Sequence, residues 1–187
     1  MLAAGRGDAD AFAALYDRWS GPVLRYLWHL GYDRDGAEDL LQETFLRLWR
    51  AAPRYEVRAR FSTFLFQVAK NLWINERAKV LRRPPRVSLD APREGAGGEE
   101  LDPLAARVEG DAPSPAEDAA RQETGRRIRA AVDALPERLR LVFVLGAIEE
   151  RPYAEVAEVL GIPEGTVKSR MWSAVREVRR RLGEESA

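Results

Sequence analysis

Basic and small polar side chains follow one face of the C-terminal segment of this 187-residue chain. Ser169, Ser173 and Arg176 recur at steps of four and three, which places them on one side of a helix. Hydroxyls and cations hold the phosphates and base edges of DNA. Residues 163–182 carry six Lys or Arg against two Glu. This pattern predicts DNA binding, and the alternative is a helical hairpin whose basic face is only solvated.

Two helical patterns position that face. Tyr153–Leu160 reads as a short helix, Gly161 stops it, and Pro163 opens a longer one. The longer helix carries an apolar stripe that we expect to face inwards: Val167, Met171, Ala174, Val178 and Leu182. A short helix, a glycine turn and a longer helix predict a helix-turn-helix, whose second helix can enter the major groove.

Charge is distributed unevenly along a chain whose net charge is zero. Residues 54–86 carry nine Lys or Arg and two Glu, whereas residues 88–123 carry ten Asp or Glu and three Arg. The acidic stretch is rich in Pro and Gly, so we predict a flexible linker at 87–115 between two binding domains. The chain has no Cys, and charges interrupt the apolar residues near its start, so we expect no disulfide, signal peptide or membrane insertion and a cytoplasmic location.

The segment before the linker contains three helical patterns. The first runs over residues 9–30, and the Ser20-Gly21-Pro22 sequence inside it is a candidate break between two helices. The second, over 37–49, places Leu46 and Trp49 on its polar face. Single exposed apolar residues are common, but these two lie beside Asp39, Gln42 and Glu43 and also fit a docking face for helices of another protein.

The third pattern, residues 61–83, has a far face that mixes aromatic and basic residues. Phe66, Lys70, Trp73 and Arg77 lie on this face, and Lys79 follows. Rings on which bases stack and cations that bind phosphates suit a single-stranded nucleic acid. The alternative is that Phe66 and Trp73 pack against the first helix and the cations are solvated.

The residues exclude most enzymatic chemistry. With no Cys, one His and no Gly-rich phosphate loop, the chain offers no nucleophile–base pair. We expect no metal, no cofactor and no small-molecule substrate, and we expect His29 to lie at the surface or its boundary. Further helical patterns over 116–135 and from Pro136 complete a four-helix C-terminal domain. The predicted fold is therefore all-α, with small helical domains at 1–86 and 116–187.

Three segments in this order resemble the sigma-70 family of bacterial transcription initiation factors, and within it the extracytoplasmic function (ECF) group. AEDLLQETFLRLW is similar to the helix of the family that binds core RNA polymerase. RFSTFLFQVAKNLWINERAKVLRR is similar to the segment that melts promoters and reads the −10 element. ALPERLRLVFVLGAIEERPYAEVAEVLGIPEGTVKSR is similar to the region that reads the −35 element.

The resemblance implies partners and roles for particular residues. The partners would be bacterial RNA polymerase core, promoter DNA and an anti-sigma factor. Contacts to core polymerase would come from Asp39, Gln42, Glu43, Leu46 and Trp49. The melted −10 strand would be held by Tyr55, Arg60, Phe66, Lys70, Asn71, Trp73, Arg77 and Lys79, with one base flipped into a protein pocket. The −35 contacts would be Arg151, Thr166, Lys168, Ser169, Arg170, Ser173 and Arg176.

The chain departs from the family pattern before the helix-turn-helix. Many members carry Arg near the position of Gly146, and Arg151 is a candidate substitute for that missing contact. A two-domain regulator that binds only duplex DNA through the helix-turn-helix is the alternative function. That alternative leaves the aromatic-basic pattern at 61–83 and the Leu46–Trp49 face without a role.

Overall fold

The computed structural model of the protein describes residues 1–82 and 115–183, with the side chains of 80–82 and 115–121 left aside. All regular structure within these two ranges is helical, so the predicted all-α class is confirmed. The predicted flexible linker at 87–115 lies outside the described residues except for Pro115.

Three long helices form the N-terminal half. The helices in chain order are α1 (Leu2–Gly5), α2 (Ala9–His29), α3 (Arg34–Ala51), a 3-10 turn (Ala52–Arg54) and α4 (Phe61–Arg82). The carboxylates of Asp8 and Asp33 accept hydrogen bonds from the Ala11 and Gly36 amides, which caps α2 and α3. Helices α2, α3 and α4 pack on one another around a core that contains Leu48, Leu65 and Leu72.

Two expectations for α2 are wrong. The helix continues through Pro22 instead of breaking, because Val23, Tyr26 and Leu27 keep the apolar phase of the preceding turns and are fully buried. His29 is buried, not at the surface, and its ring packs edge-on to Trp28 at 4.7 Å. Burial, together with the positive charges of two nearby arginines, lowers the pKa of His29 to about 4.

The C-terminal half is the four-helix arrangement that the sequence predicts. Its helices are α5 (Pro115–Asp133), α6 (Glu137–Phe143), α7 (Tyr153–Leu160) and α8 (Glu164–Leu182). Helix α6 continues into a π turn, Val144–Ile148, which buries Ile148 and leaves Ala147 exposed. Within this turn Gly146 lies beside Met171 of α8, and a Cβ atom there would lie 2.4 Å from Cε of Met171, so this flexible side chain would have to shift.

The two halves lie against each other in this structure. Helix α4 packs on α7, and α2 packs on both α5 and the π turn. The guanidinium of Arg25 forms a bidentate pair with the buried carboxylate of Glu149 at 3.1 Å. The Leu30 carbonyl accepts hydrogen bonds from Trp73 Nε1 and from Arg140 Nη1, both at 3.2 Å, so one carbonyl joins side chains of the two halves.

Candidate nucleic-acid interface

A left-handed glycine sets the angle between α7 and α8. Gly161 has φ +68°, and its amide donates to the Ala157 carbonyl at 2.8 Å, while the Ile162 amide donates to the same carbonyl at 3.1 Å. Pro163 then precedes the first turn of α8, as the sequence predicts. Val167, Met171, Ala174 and Val178 are buried, so the opposite side of α8 is the one that meets solvent.

The outer face of α8 consists of Lys168, Ser169, Trp172, Ser173 and Arg176. The Lys168 ammonium pairs with the Glu164 carboxylate at 2.9 Å. The hydroxyl of Ser169 donates to the Thr166 carbonyl and that of Ser173 donates to the Ser169 carbonyl, at 3.1 and 3.0 Å. The Arg176 guanidinium lies 4.6 Å from the ring centroid of Trp172. A cationic and aromatic surface therefore faces solvent, and Thr166 lies half-buried at its edge.

Two of the predicted −35 residues lie away from this outer face. The guanidinium of Arg151 lies against the rings of Trp19 and Phe66, at 5.0 and 4.9 Å from their centroids. Arg170 lines a cleft between the two halves, which has a volume of about 580 Å³ and also contains Lys70. Both side chains therefore lie on the side of the C-terminal half that meets the N-terminal half. The structure does not bring them together with Lys168 and Arg176.

The predicted exposed position of Phe66 and Trp73 on α4 is wrong. Both rings are buried: Phe66 packs edge-on against Tyr26 at 5.2 Å, and Trp73 Nε1 donates to the Leu30 carbonyl. The part of the alternative that packs these rings against the first long helix is confirmed. Its solvated cations are not, because Lys70 and Arg77 bond to groups of the C-terminal half. Helix α4 is covered on two sides, by α2 and α3 and by α7, so it has a wider buried face than an amphipathic surface helix.

The cations of α4 contact the C-terminal half. Lys70 Nζ donates to the Val159 carbonyl at 2.7 Å, and burial lowers the pKa of this ammonium group. Arg77 lies over the ring of Trp73 and pairs with Glu137 at 3.2 Å. Arg60, just before α4, lies 3.9 Å from the Glu155 carboxylate.

Polar side chains of α4 add to this contact with the end of α7. Gln67 Nε2 donates to the Glu158 carbonyl at 2.9 Å, and the Thr63 hydroxyl donates to the Glu158 carboxylate at 3.3 Å. The C-terminal end of a helix carries partial negative charge on its carbonyls. The end of α7 therefore places carbonyl and carboxylate oxygens against α4 side chains that could otherwise hold phosphates.

A basic cavity lies beside the start of α4. It has a volume of about 590 Å³, and its lining includes Tyr55, Phe64 and Gln67 as well as three arginines that are not among the individually predicted site residues: Arg50, Arg54 and Arg58. The Tyr55 ring lies 5.3 Å from that of Phe64. Asn71 is exposed further along α4, and Lys79 pairs with Glu76 at 2.5 Å. An excess of arginine between positions 50 and 60 was the available sequence signal for this cavity.

The polar face of α3 is exposed, as its helical phase predicts. Asp39 and Gln42 are exposed, and Glu43 pairs with Arg47 at 2.7 Å. Leu46 and Trp49 remain 42% and 40% exposed. Trp49 also lines a shallow apolar groove of about 420 Å³ with residues of α2, including Phe12 and Tyr16, which the sequence interpretation did not assign to this face.

Comparisons with known proteins agree with this arrangement. The family model described as "Sigma-70 region 2" matches residues 15–83, and the one described as "Sigma-70, region 4" matches residues 125–177. The ECF RNA polymerase sigma factor SigW of Bacillus subtilis is 31% identical over 177 residues, which span 95% of this chain and 91% of the relative. The RNA polymerase sigma-H factor of Pseudomonas aeruginosa is 31% identical over 90% of this chain and 84% of its own length.

Two solved structures share the fold. CnrH in complex with the cytosolic domain of CnrY superposes with a TM-score of 0.69 at 22% identity, over 98% of this chain and 94% of that one. The sigma factor RpoE in complex with the anti-sigma factor NepR from Bartonella quintana gives a TM-score of 0.66 at 22% identity, over 95% of this chain and all of that one.

The arrangement of the helices and the matches to known proteins together define a bacterial transcription initiation factor. The chain belongs to the sigma-70 family of RNA polymerase sigma factors, in its ECF group. This is not a family of enzymes. Among the residues that the structure describes, no helix combines the length and the apolar character needed to cross a membrane.

Proposed function

We propose that this chain binds core RNA polymerase and directs it to promoters that carry a −10 and a −35 element. The observation that carries the proposal is the separation of two exposed faces in one chain of this family. The α3 face offers apolar and acidic groups for a protein partner, and the α8 face offers cationic and aromatic groups for DNA. Binding energy for polymerase and two DNA elements is pooled through one chain.

The proposed polymerase contact is centred on Leu46 and Trp49. Asp39, Gln42 and Glu43 surround these side chains with polar groups, and the groove beside Trp49 extends the apolar surface onto α2. Such an apolar centre with a polar rim is the usual anatomy of a protein interface.

The proposed −10 site is the basic cavity at Tyr55. Its size and its lining suit one flipped base and its phosphate: a tyrosine, a phenylalanine and three arginines, of which Arg58 pairs with Glu56. Arg60, Lys70, Asn71, Arg77 and Lys79 would then hold the adjoining strand. Phe66 and Trp73 would support this site from the core rather than stack on bases.

The contacts between α7 and α4 imply a step before −10 binding. Lys70 and Arg77 bond to the C-terminal half here, so a promoter strand reaches them only when the halves separate. Core polymerase would drive this separation if it binds the separated halves more tightly. Conversely, an inhibitor that binds the closed arrangement would keep the −10 cations covered.

We propose such an inhibitor, an anti-sigma factor that covers Leu46, Trp49 and the outer face of α8. The motivating observation is that these partly apolar faces lie on separate halves, and the fold is shared with RpoE, which was solved with its anti-sigma factor NepR. An affinity purification from the native cell should recover a stoichiometric inhibitor. Recovery of polymerase without one, in the uninduced cell, would contradict the idea.

The remaining parts of the proposal follow from the same residues. A chain with no Cys and a single buried His, acting on polymerase and DNA, would work in the cytoplasm and without catalytic chemistry or a small-molecule substrate of its own.

Leu46→Glu tests the polymerase contact. We expect it to weaken binding to core polymerase at least about 100-fold, because a charge in the apolar centre of an interface stays unpaired. Affinity is measured by fluorescence anisotropy of labelled protein, and circular dichroism checks the fold. Val57→Glu is the matched control, since Val57 is 68% exposed on the loop before α4 and outside this face. Equal affinity of the two folded variants would place the polymerase contact elsewhere.

A further inference from the structure

Trp172 is the most exposed tryptophan that the described part of the chain contains. It is 63% exposed and lies midway along the outer face of α8. Lys168 and Arg176 stand four residues before and after it, so the three side chains form one row along the helix. The row is about 12 Å long, from a rise of about 1.5 Å per residue. That length spans three to four base pairs at about 3.4 Å per pair.

The neighbours of Trp172 leave its ring as the main apolar element of this face. The hydroxyls of Ser169 and Ser173 donate to carbonyls of their own helix, and Lys168 pairs with Glu164. The Arg176 guanidinium rests on the ring at 4.6 Å, which limits where this flexible side chain can point. An apolar plate and an oriented cation therefore stand side by side.

Each base exposes different groups in the major groove. Some of these groups suit contact with the apolar ring of Trp172, and others suit the guanidinium of Arg176. Thymine is the base that presents a methyl group there, and apolar side chains read it by contact. Guanine presents the acceptors O6 and N7, which a guanidinium binds in a bidentate manner. We propose that Trp172 is a specificity-determining residue of this sigma factor, which reads the 5-methyl group of a thymine in the −35 element and orients Arg176. This inference rests on the proposed −35 contact of α8.

The competing role for Trp172 is a phosphate contact. Its indole N–H can donate to a phosphate oxygen, which would add affinity without any sequence preference. The two roles differ in one chemical group of the DNA. Replacing thymine by deoxyuridine removes the methyl group and leaves the base-pairing edge and the phosphates in place.

The experiment is a deoxyuridine scan of the −35 element with the holoenzyme. The promoter duplex is chosen by transcription from a random library, each −35 thymine is replaced in turn, and binding is measured by competition. We expect one replacement to weaken wild-type binding about fourfold, the effect of burying one methyl group. With Trp172→Ala, the same replacement should change affinity by less than about 1.5-fold. Lys168→Gln, a change one helical turn before Trp172, should weaken binding to both duplexes alike and so keep the fourfold difference between them.

Three results are distinguishable. If wild-type binding responds to −35 base changes but to no deoxyuridine, the thymine assignment is wrong and the proposed function stands. If Trp172→Ala keeps the full deoxyuridine penalty, another residue reads the methyl group. If the wild-type holoenzyme shows no dependence on any −35 base, the proposed −35 contact fails, and the role of Trp172 fails with it.

Discussion

Helices α4 and α8 present the same kinds of residue at similar spacing, yet the structure uses them in opposite ways. In α4, Trp73 is buried and the Arg77 guanidinium lies 5.4 Å from its ring centroid, at the boundary between the halves. In α8, Trp172 is 63% exposed and carries Arg176 at 4.6 Å. Each pair is a tryptophan followed by an arginine four residues later. One pair is part of the packing, and the other faces solvent.

Each helix packs against three others, so the difference arises from how those neighbours are arranged around it. Helix α8 buries one stripe against the rest of the C-terminal half, whereas α4 packs against α2, α3 and α7. A helix covered on two sides needs large side chains on both, so a ring on its far face is core and not a stacking platform. Cations with similar sequence spacing therefore face solvent on α8, whereas on α4 they bond to groups of the C-terminal half.

The largest expected effect comes from truncating the two tryptophans in parallel. Trp73→Ala should lower the free energy of unfolding by about 3–5 kcal/mol, because it removes a buried ring and leaves a cavity. Trp172→Ala should lower it by less than about 1 kcal/mol, the value of one exposed cation–π contact. Urea unfolding followed by circular dichroism measures both variants. Similar destabilisation by the two changes would contradict the claim that Trp73 belongs to the core and Trp172 does not.

A second prediction concerns acid and the buried histidine next to the junction of the halves. His29 stays neutral in the folded protein down to a pKa of about 4, while in the unfolded chain it takes up a proton near pH 6.5. The unfolded state therefore binds more protons between these values, and stability falls as the pH drops from about 7 towards 4. The full loss from this group is about 3 kcal/mol.

His29→Leu provides the control for the acid effect. The variant lacks the titrating group, so its stability should fall less steeply than that of the wild type between pH 7 and pH 4. The difference between the two urea-unfolding profiles removes the contribution of all other groups. Parallel profiles would mean that His29 becomes protonated in the folded state and is not held neutral by burial and by the positive charges of Arg25 and Arg129.

The smallest expected effect is the difference in stability between two lysine variants, one on α4 and one on α8. Lys70→Gln should cost about 1–2 kcal/mol of stability, since it removes a charged hydrogen bond to the Val159 carbonyl. Lys168→Gln should cost less than about 0.5 kcal/mol, because its pair with Glu164 is exposed. Thermal unfolding at equal ionic strength measures the loss of stability in both variants. A larger cost at Lys168 would contradict the assignment of α4 as the occupied face.

The helices and the outer face of α8 could be predicted from the sequence because each depends on local signals. Gly161 and Pro163 mark the turn, and the stripe from Val167 to Val178 fixes the phase of α8. The position of Leu46 and Trp49 followed from the same reasoning on α3. In these cases one face is buried and the opposite one is exposed, so periodicity alone is enough.

The errors occurred where tertiary contacts outweigh local preference. Pro22 reads as a break, but the packing of Val23 and Tyr26 carries α2 through it. The burial of Phe66, Trp73 and His29 depends on helices distant in the sequence. The inward turn of Arg151 likewise requires a ring from each of two N-terminal helices, and no spacing within its own segment indicates it.

The most direct test of the proposed function is transcription in vitro with bacterial core polymerase, with and without this protein, on a library of random promoter sequences. We predict protein-dependent transcripts that start downstream of two short motifs separated by a fixed distance, one for each DNA-binding half. Absence of such transcripts, together with tight binding of the protein alone to a single palindromic duplex site, would contradict it and indicate a regulator that acts through the helix-turn-helix only.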